Sequence, residues 1–132
     1  MQEKISQLLK FTKGCSLLYV EDNEDARKST LNLLERFFDD ISVAVDGEDG
    51  YQKYMNSDID LIISDINMPK LSGIEMVSKI RQNGDNVSVI VLSAYNEIEY
   101  YNEADSLGVS SYLTKPLKLP LFVDALLEIF LT

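Results

Sequence analysis

Five polar residues carry the chemistry open to this sequence: Glu21, Asp22, Asp65, Ser93 and Lys115. Each stands at the end of an apolar run of strand length, and three of the five are carboxylates. Carboxylates held within ~4 Å of one another repel by about 4 kcal/mol per pair at an effective dielectric of 20, so a cluster of three calls for a cation. A hard, oxygen-only donor set suits Mg²⁺, which takes octahedral geometry and keeps several waters. Lys115 adds a fixed positive charge and Ser93 a neutral hydroxyl. Together they describe a pocket for a bound or developing phosphoryl group, with Asp65 placed to attack as a carboxylate nucleophile.

The elements that must bring these residues together follow from the apolar pattern. Strand-length runs at 17–20, 41–45, 61–64, 87–92 and 111–114 are each followed by a stretch with helical spacing. The first helical stretch follows Asp22-Asn23, either of which can cap it, and sets Ala26, Leu31, Leu34 and Phe38 on one face. The others are expected at 47–56, at 72–82 ending near Gly84, at 96–107 ending at Gly108, and at 119–131 with Pro120 in the first turn. Strands as continuously apolar as Leu-Ile-Ile and Val-Ile-Val-Leu point to a parallel sheet covered on both faces. Such an open α/β sheet binds its ligand beyond the carboxyl ends of the strands, the edge to which all five polar residues fall.

Composition bounds the rest. The 132 residues fill one domain, read as residues 14–132, preceded by a short helical extension at 1–13. Ile5, Leu8 and Leu9 give that extension an apolar stripe, suited to local packing or, as the alternative, to a partner. Twelve Lys and Arg against 22 Asp and Glu leave a net charge of -10, which repels nucleic-acid backbones and anionic lipid. No apolar run reaches the ~18 residues of a spanning helix and the start does not read as a signal peptide, so a cytosolic (cytoplasmic) domain is expected. The chain has no histidine, which removes Ser/His/Asp triads and most zinc sites, and its one cysteine, Cys15, reads as packing.

Four fragments in order are more specific than any one of them: Glu21-Asp22-Asn23; Ser64-Asp65-Ile66-Asn67-Met68-Pro69 with Ser72-Gly73; Leu92-Ser93-Ala94; and Tyr112-Leu113-Thr114-Lys115-Pro116. On these residues the chain resembles the receiver domain of the two-component response-regulator family, from about residue 15 to 130. The resemblance implies a flavodoxin-like (βα)5 fold, a five-stranded parallel sheet in the order 2-1-3-4-5 flanked by five helices. It implies Asp65 as phosphoacceptor, Asp22 and Asp65 as Mg²⁺ ligands with the main-chain carbonyl of Asn67, and Glu21 acting through a metal-bound water. Ser93 and Lys115 would contact the phosphoryl group, small Ala94 would admit the donor, and a cis Lys115-Pro116 bond would aim the lysine. Ser93 and Tyr112 would form the switch that remodels the surface of the fourth helical stretch, fifth strand and fifth helical stretch, where an effector would dock.

The resemblance further implies a histidine kinase or histidine phosphotransfer protein as donor, since the chain has no histidine of its own. It describes a signalling switch, not an enzyme beyond its own phosphorylation and slow autodephosphorylation, and leaves a homodimer through the last two helical stretches open. Asn67 and Tyr95 fall where the family tends to set phosphoryl lifetime, and a bulky Tyr95 would screen the acyl phosphate from water. Taken singly, Glu21 and Asp22 read equally as helix-capping acids, Asp65 as a turn residue, Tyr112 as a half-buried strand residue, and Tyr95, Tyr100 and Tyr101 as ordinary packing or a binding face. Two rival functions remain: a receiver-like interaction module that works without phosphate, and an aspartyl-phosphate phosphohydrolase. The second wants another acid two residues after its nucleophile, where this chain has Asn67.

Overall fold

A computed structural model describes residues 2–94 and 100–131. Its strands are β1 (Ser16–Val20), β2 (Asp40–Ala44), β3 (Leu61–Asp65), β4 (Ser88–Ser93) and β5 (Ser111–Thr114). All pair in parallel in the order β2-β1-β3-β4-β5, the expected arrangement. Six helices stand among the described residues: α1 (Gln2–Thr12), α2 (Glu24–Leu34), α3 (Gly47–Met55), α4 (Gly73–Gln82), α5 (Tyr101–Ser106) and α6 (Leu119–Phe130).

The continuous apolar strands are explained by two cores, because alternate residues of one strand point to opposite faces. Leu17, Tyr19, Leu61, Ile63, Ile90 and Leu92 pack with α2 and α6 residues, among them Leu34, Phe122 and Leu126. Leu18, Val20, Ile62, Val89 and Val91 pack on the other face with Ile74, Met76, Val77 and Ile80 of α4 and Ala104 of α5. Both faces of β1, β3 and β4 are therefore committed, and a one-residue slip in register would exchange the two cores wholesale.

Helix α1 joins the first core. Leu8 is fully buried there, and Phe11 stacks on Phe130 of α6 with ring centroids 6.5 Å apart.

The boundaries differ from expectation where side chains take over backbone bonds. β2 stops at Ala44, whose carbonyl accepts the Glu21 N–H, while the Val45 N–H turns to the Asp49 carboxylate. Helix α2 is capped by Asn23, whose side chain accepts the Ala26 N–H, and ends at Leu34 short of Phe38. Bonds from Arg36 to Leu33 and from Phe37 to Leu34 tighten the chain there, yet Phe37 and Phe38 stay buried, Phe37 edge-on to Phe122 at 5.4 Å. Of the helix expected at 96–107, the described part is α5, and residues 95–99, Tyr95 among them, lie outside the described residues.

Candidate functional site

The parallel register sets the carboxyl ends of β1, β3, β4 and β5 side by side, Asp65 opposite Leu92 and Ser93 opposite Thr114. Glu21 follows β1 directly and is fully buried; Asp65 closes β3 and is 5% exposed; Asp22 is exposed. One carboxylate oxygen from each lies within 4.8 Å of the others. The ammonium of Lys115, just past β5, sits 3.2 Å from Glu21 Oε1 and 3.2 Å from Asp65 Oδ2. The four residues that the sequence places at these strand ends are thus brought into one cluster.

Local bonds hold the acids in place. The Asn23 N–H donates to Glu21 Oε2 at 3.2 Å and the Ile66 N–H to Asp65 Oδ1 at 2.9 Å. Burial first, then the charge of Asp65, push the Glu21 carboxyl up to about 7, against the Asn23 N–H and the Lys115 ammonium, which favour its charged form. For Lys115, desolvation alone would lower the ammonium's pKa, but the Asp65 and Glu21 charges outweigh it and hold the pKa above its ordinary value. A lone lysine bridging two carboxylates leaves net negative charge at the cluster, with a third carboxylate, Asp22, exposed at its edge. That donor set, oxygen only and anionic, fits a hard divalent cation.

Ser93 supplies a second test of fit. Its side chain is 1% exposed and its hydroxyl has no hydrogen-bond partner among the described residues, while its carbonyl accepts the Lys115 N–H at 2.7 Å. A buried hydroxyl without a partner costs free energy that an arriving anion would recover. Ala94 and Lys115 line a cleft of about 380 Å³ with Ala26, Ser29, Thr30 and Leu33 of α2. Room beside the lysine therefore exists on the α2 side. Asn67 lies exposed two residues past Asp65, and the Lys115-Pro116 bond is cis. Tyr112 is half-buried on β5, its ring edge-on to exposed Tyr101 at 5.4 Å, whereas Tyr100 packs partly into the second core.

The family model described as the response regulator receiver domain matches residues 17–127. The chain belongs to the response regulator receiver domain family. This receiver is 36% identical to the chemotaxis protein CheY of Treponema pallidum, over 76% of this chain and 72% of that one. It is 35% identical to the uncharacterized transcriptional regulatory protein YesN of Bacillus subtilis, over 67% of this chain but 24% of YesN. Among solved structures it superposes on a CheY of Borrelia burgdorferi, determined as a CheX-CheY-BeF3-Mg²⁺ complex, with a TM-score of 0.81 and 28% identity over 89% of this chain and 90% of that one. The receiver fold and a place in two-component signalling follow from the family match.

Two contributors to the receiver's site have roles that a reading by motif does not explain. Gly73 stands where a Cβ would come within 2.0 Å of the Asp65 carbonyl oxygen, so only glycine lets α4 start against the end of β3. Arg27 donates to the main-chain carbonyl of Glu21 at 2.9 Å and to that of Asp22 at 3.4 Å. Its signal in the sequence is a cation in the first turns of a helix, where the macrodipole favours acids.

Proposed function

We propose that this receiver accepts a phosphoryl group on Asp65 from the phosphohistidine of another protein, with Mg²⁺ held at the carboxylate cluster. The observation that carries the reading is the Lys115 ammonium bridging Glu21 and Asp65 at 3.2 Å each, in a three-carboxylate cluster at the carboxyl edge of the sheet. The neighbouring CheY structure that holds BeF3 and Mg²⁺ supports the same ligand classes here.

Asp22, Asp65 and the main-chain carbonyl of Asn67 would hold the ion, with Glu21 reaching it through water. When bound, the ion supplies positive charge that offsets the repulsion among phosphoryl oxygens and carboxylates. One carboxylate oxygen of Asp65 attacks phosphorus; the P–N bond to the donor imidazole breaks, the nitrogen keeps the electron pair, and an acyl phosphate forms on Asp65. Lys115 shifts from the carboxylates to a phosphoryl oxygen, and Ser93 gives its unpartnered hydroxyl to another. The cleft beside Ala94 admits the donor. Ser93 and Tyr112 then carry the change to the α5, β5 and α6 surface, where an effector docks. Because a 1:99 to 99:1 shift needs about 5.5 kcal/mol, effector binding shares in it. We place the protein in the cytoplasm, with a histidine kinase or phosphotransfer protein as donor and any turnover confined to slow autodephosphorylation.

Intact mass after incubation with acetyl phosphate, with and without Mg²⁺, on wild type and Asp65→Asn tests this. The expected result is one phosphoryl group gained by wild type with Mg²⁺ and none otherwise. If a phosphohistidine donor also leaves wild type unmodified, the reading gives way to a module that binds partners without phosphate.

A further inference from the structure

We propose that Arg27 is a positioning residue for the metal-binding pair Glu21 and Asp22, acting by fixing the peptide groups that aim their carboxylates. The inference rests on the Mg²⁺ reading above. Glu21 and Asp22 are the link between sheet and helix: β1 ends at Val20, and α2 begins at Glu24 with Asn23 as its cap. The last ladder bond on this side is the Glu21 N–H to Ala44, and the first helical carbonyl to accept is that of Asn23, from the Arg27 N–H. Among the described residues the two carbonyls in between, those of Glu21 and Asp22, receive neither a sheet nor a helix bond. One guanidinium nitrogen of Arg27 serves both, at 2.9 and 3.4 Å.

The consequence differs for the two acids. Glu21 has bonds of its own to its carboxylate, from the Asn23 N–H and Lys115. The Asp22 carboxylate is exposed and makes no hydrogen bond or ion pair to the described residues, so what places it is the direction of its Cα–Cβ bond, which the backbone sets. Arg27 holds the peptide groups on both sides of that residue. Its position also works against the helix: in the first turns of α2, just after Glu24 and Asp25, an arginine opposes the macrodipole. Two carbonyl bonds offset that penalty and account for a cation at this position. A guanidinium suits the task because its planar fork holds direction where an ammonium would not.

Titration calorimetry with MgCl2 on the full chain, for wild type, Arg27→Ala and Arg27→Gln, tests the inference, with thermal unfolding measured alongside. Charge alone predicts that removing a cation near the site tightens Mg²⁺ binding. Positioning predicts the opposite: the Kd for Mg²⁺ rises about tenfold in Arg27→Ala, the scale of loss when groups that orient metal ligands are removed. Arg27→Gln, which loses the charge but keeps an amide donor, should recover part of it, and the phosphorylation rate of both variants should return to the wild-type value at saturating Mg²⁺. Wild-type binding with unchanged or tighter binding in the variants overturns the inference and leaves the proposed function standing. If Arg27→Ala does not fold, Arg27→Gln decides by the same criterion. A wild type that takes up no Mg²⁺ overturns the metal reading and this inference together.

Discussion

Among the described residues, the first three helices that follow a strand in this receiver are capped differently from the last two. Helices α2, α3 and α4 each begin with a side-chain cap: Asn23 takes the Ala26 N–H, Asp46 the Asp49 N–H, and Ser72 the Glu75 N–H in a reciprocal capping box. Among the described residues, the cap positions of α5 and α6, Tyr100 and Lys118, make no side-chain cap bond. The same division runs through the site. Glu21 and Asp65, on the capped side, have their carboxylates bonded to backbone N–H groups, while Ser93 on the uncapped side has a buried hydroxyl with no described partner. Under the proposed function the difference is a division of labour, with the acids preorganised and the Ser93 hydroxyl left to be satisfied by the ligand.

The largest effect should come from Lys115, which joins the two halves at the site. Lys115→Ala removes the charge shared by Glu21 and Asp65, and the phosphorylation rate should fall roughly a hundred- to a thousandfold, as when a preorganised electrostatic contact is lost. The uncompensated carboxylates should bind Mg²⁺ at least as tightly as before, so calorimetry on the same variant separates loss of the metal from loss of the lysine. A variant that phosphorylates at the wild-type rate would break the comparison, since Lys115 would then be merely a counter-ion.

Next is a change on the capped side alone. Gly73→Ala puts a Cβ 2.0 Å from the Asp65 carbonyl oxygen, backbone that cannot swing away. Overpacking of this sort costs about 1–3 kcal/mol, and each 1 kcal/mol moves the midpoint of a domain this size by about 4 °C. Thermal unfolding should show a drop of at least that size. The uncapped side offers the opposite outcome. Ser93→Ala deletes a buried hydroxyl that has no described partner, so stability should hold or rise by up to ~1 kcal/mol, while phosphorylation slows about tenfold for want of a bond to the charged phosphoryl group. A Ser93→Ala chain that is clearly less stable would mean the hydroxyl is satisfied before any anion arrives.

How legible each half was in the sequence follows the same physics. Strand positions and the site edge were readable because strands buried on both faces must be continuously apolar, and because Glu21, Asp22, Asp65, Ser93 and Lys115 all stop such runs. Gly73 was visible as part of a motif, but its reason is a contact between two chain segments that spacing does not encode. Spacing alone makes Arg27 one more charge on a helix, and only the carbonyls it meets distinguish it. Phe38, which spacing sets on the apolar face of this helix, lies beyond its end because burial continues after helical bonding stops: Phe37 and Phe38 stay in the core on a tightened turn.

The smallest expected effect tests the caps themselves. Glu75 closes the capping box of α4 by accepting the Ser72 N–H at 3.0 Å, while its own N–H donates to Ser72 Oγ at 3.1 Å. The bonds from the Ser72 backbone, and then from its side chain, hold the Glu75 carboxyl below its ordinary value of 4.5. A carboxyl with a depressed value in the folded state binds its proton more weakly there than in the unfolded chain. Its contribution is therefore fully present above pH 4.5 and is lost as the pH falls through the folded value. Because Glu75 is fully exposed, the slope should be shallow. Urea unfolding of wild type and Glu75→Gln between pH 3 and 6 should show the difference between them shrink as the pH falls, the glutamine retaining an acceptor oxygen but not the charge. A difference that stays constant across that range would mean that the cap acts by geometry alone, and that the contrast between capped and uncapped corners is one of shape with no part for charge.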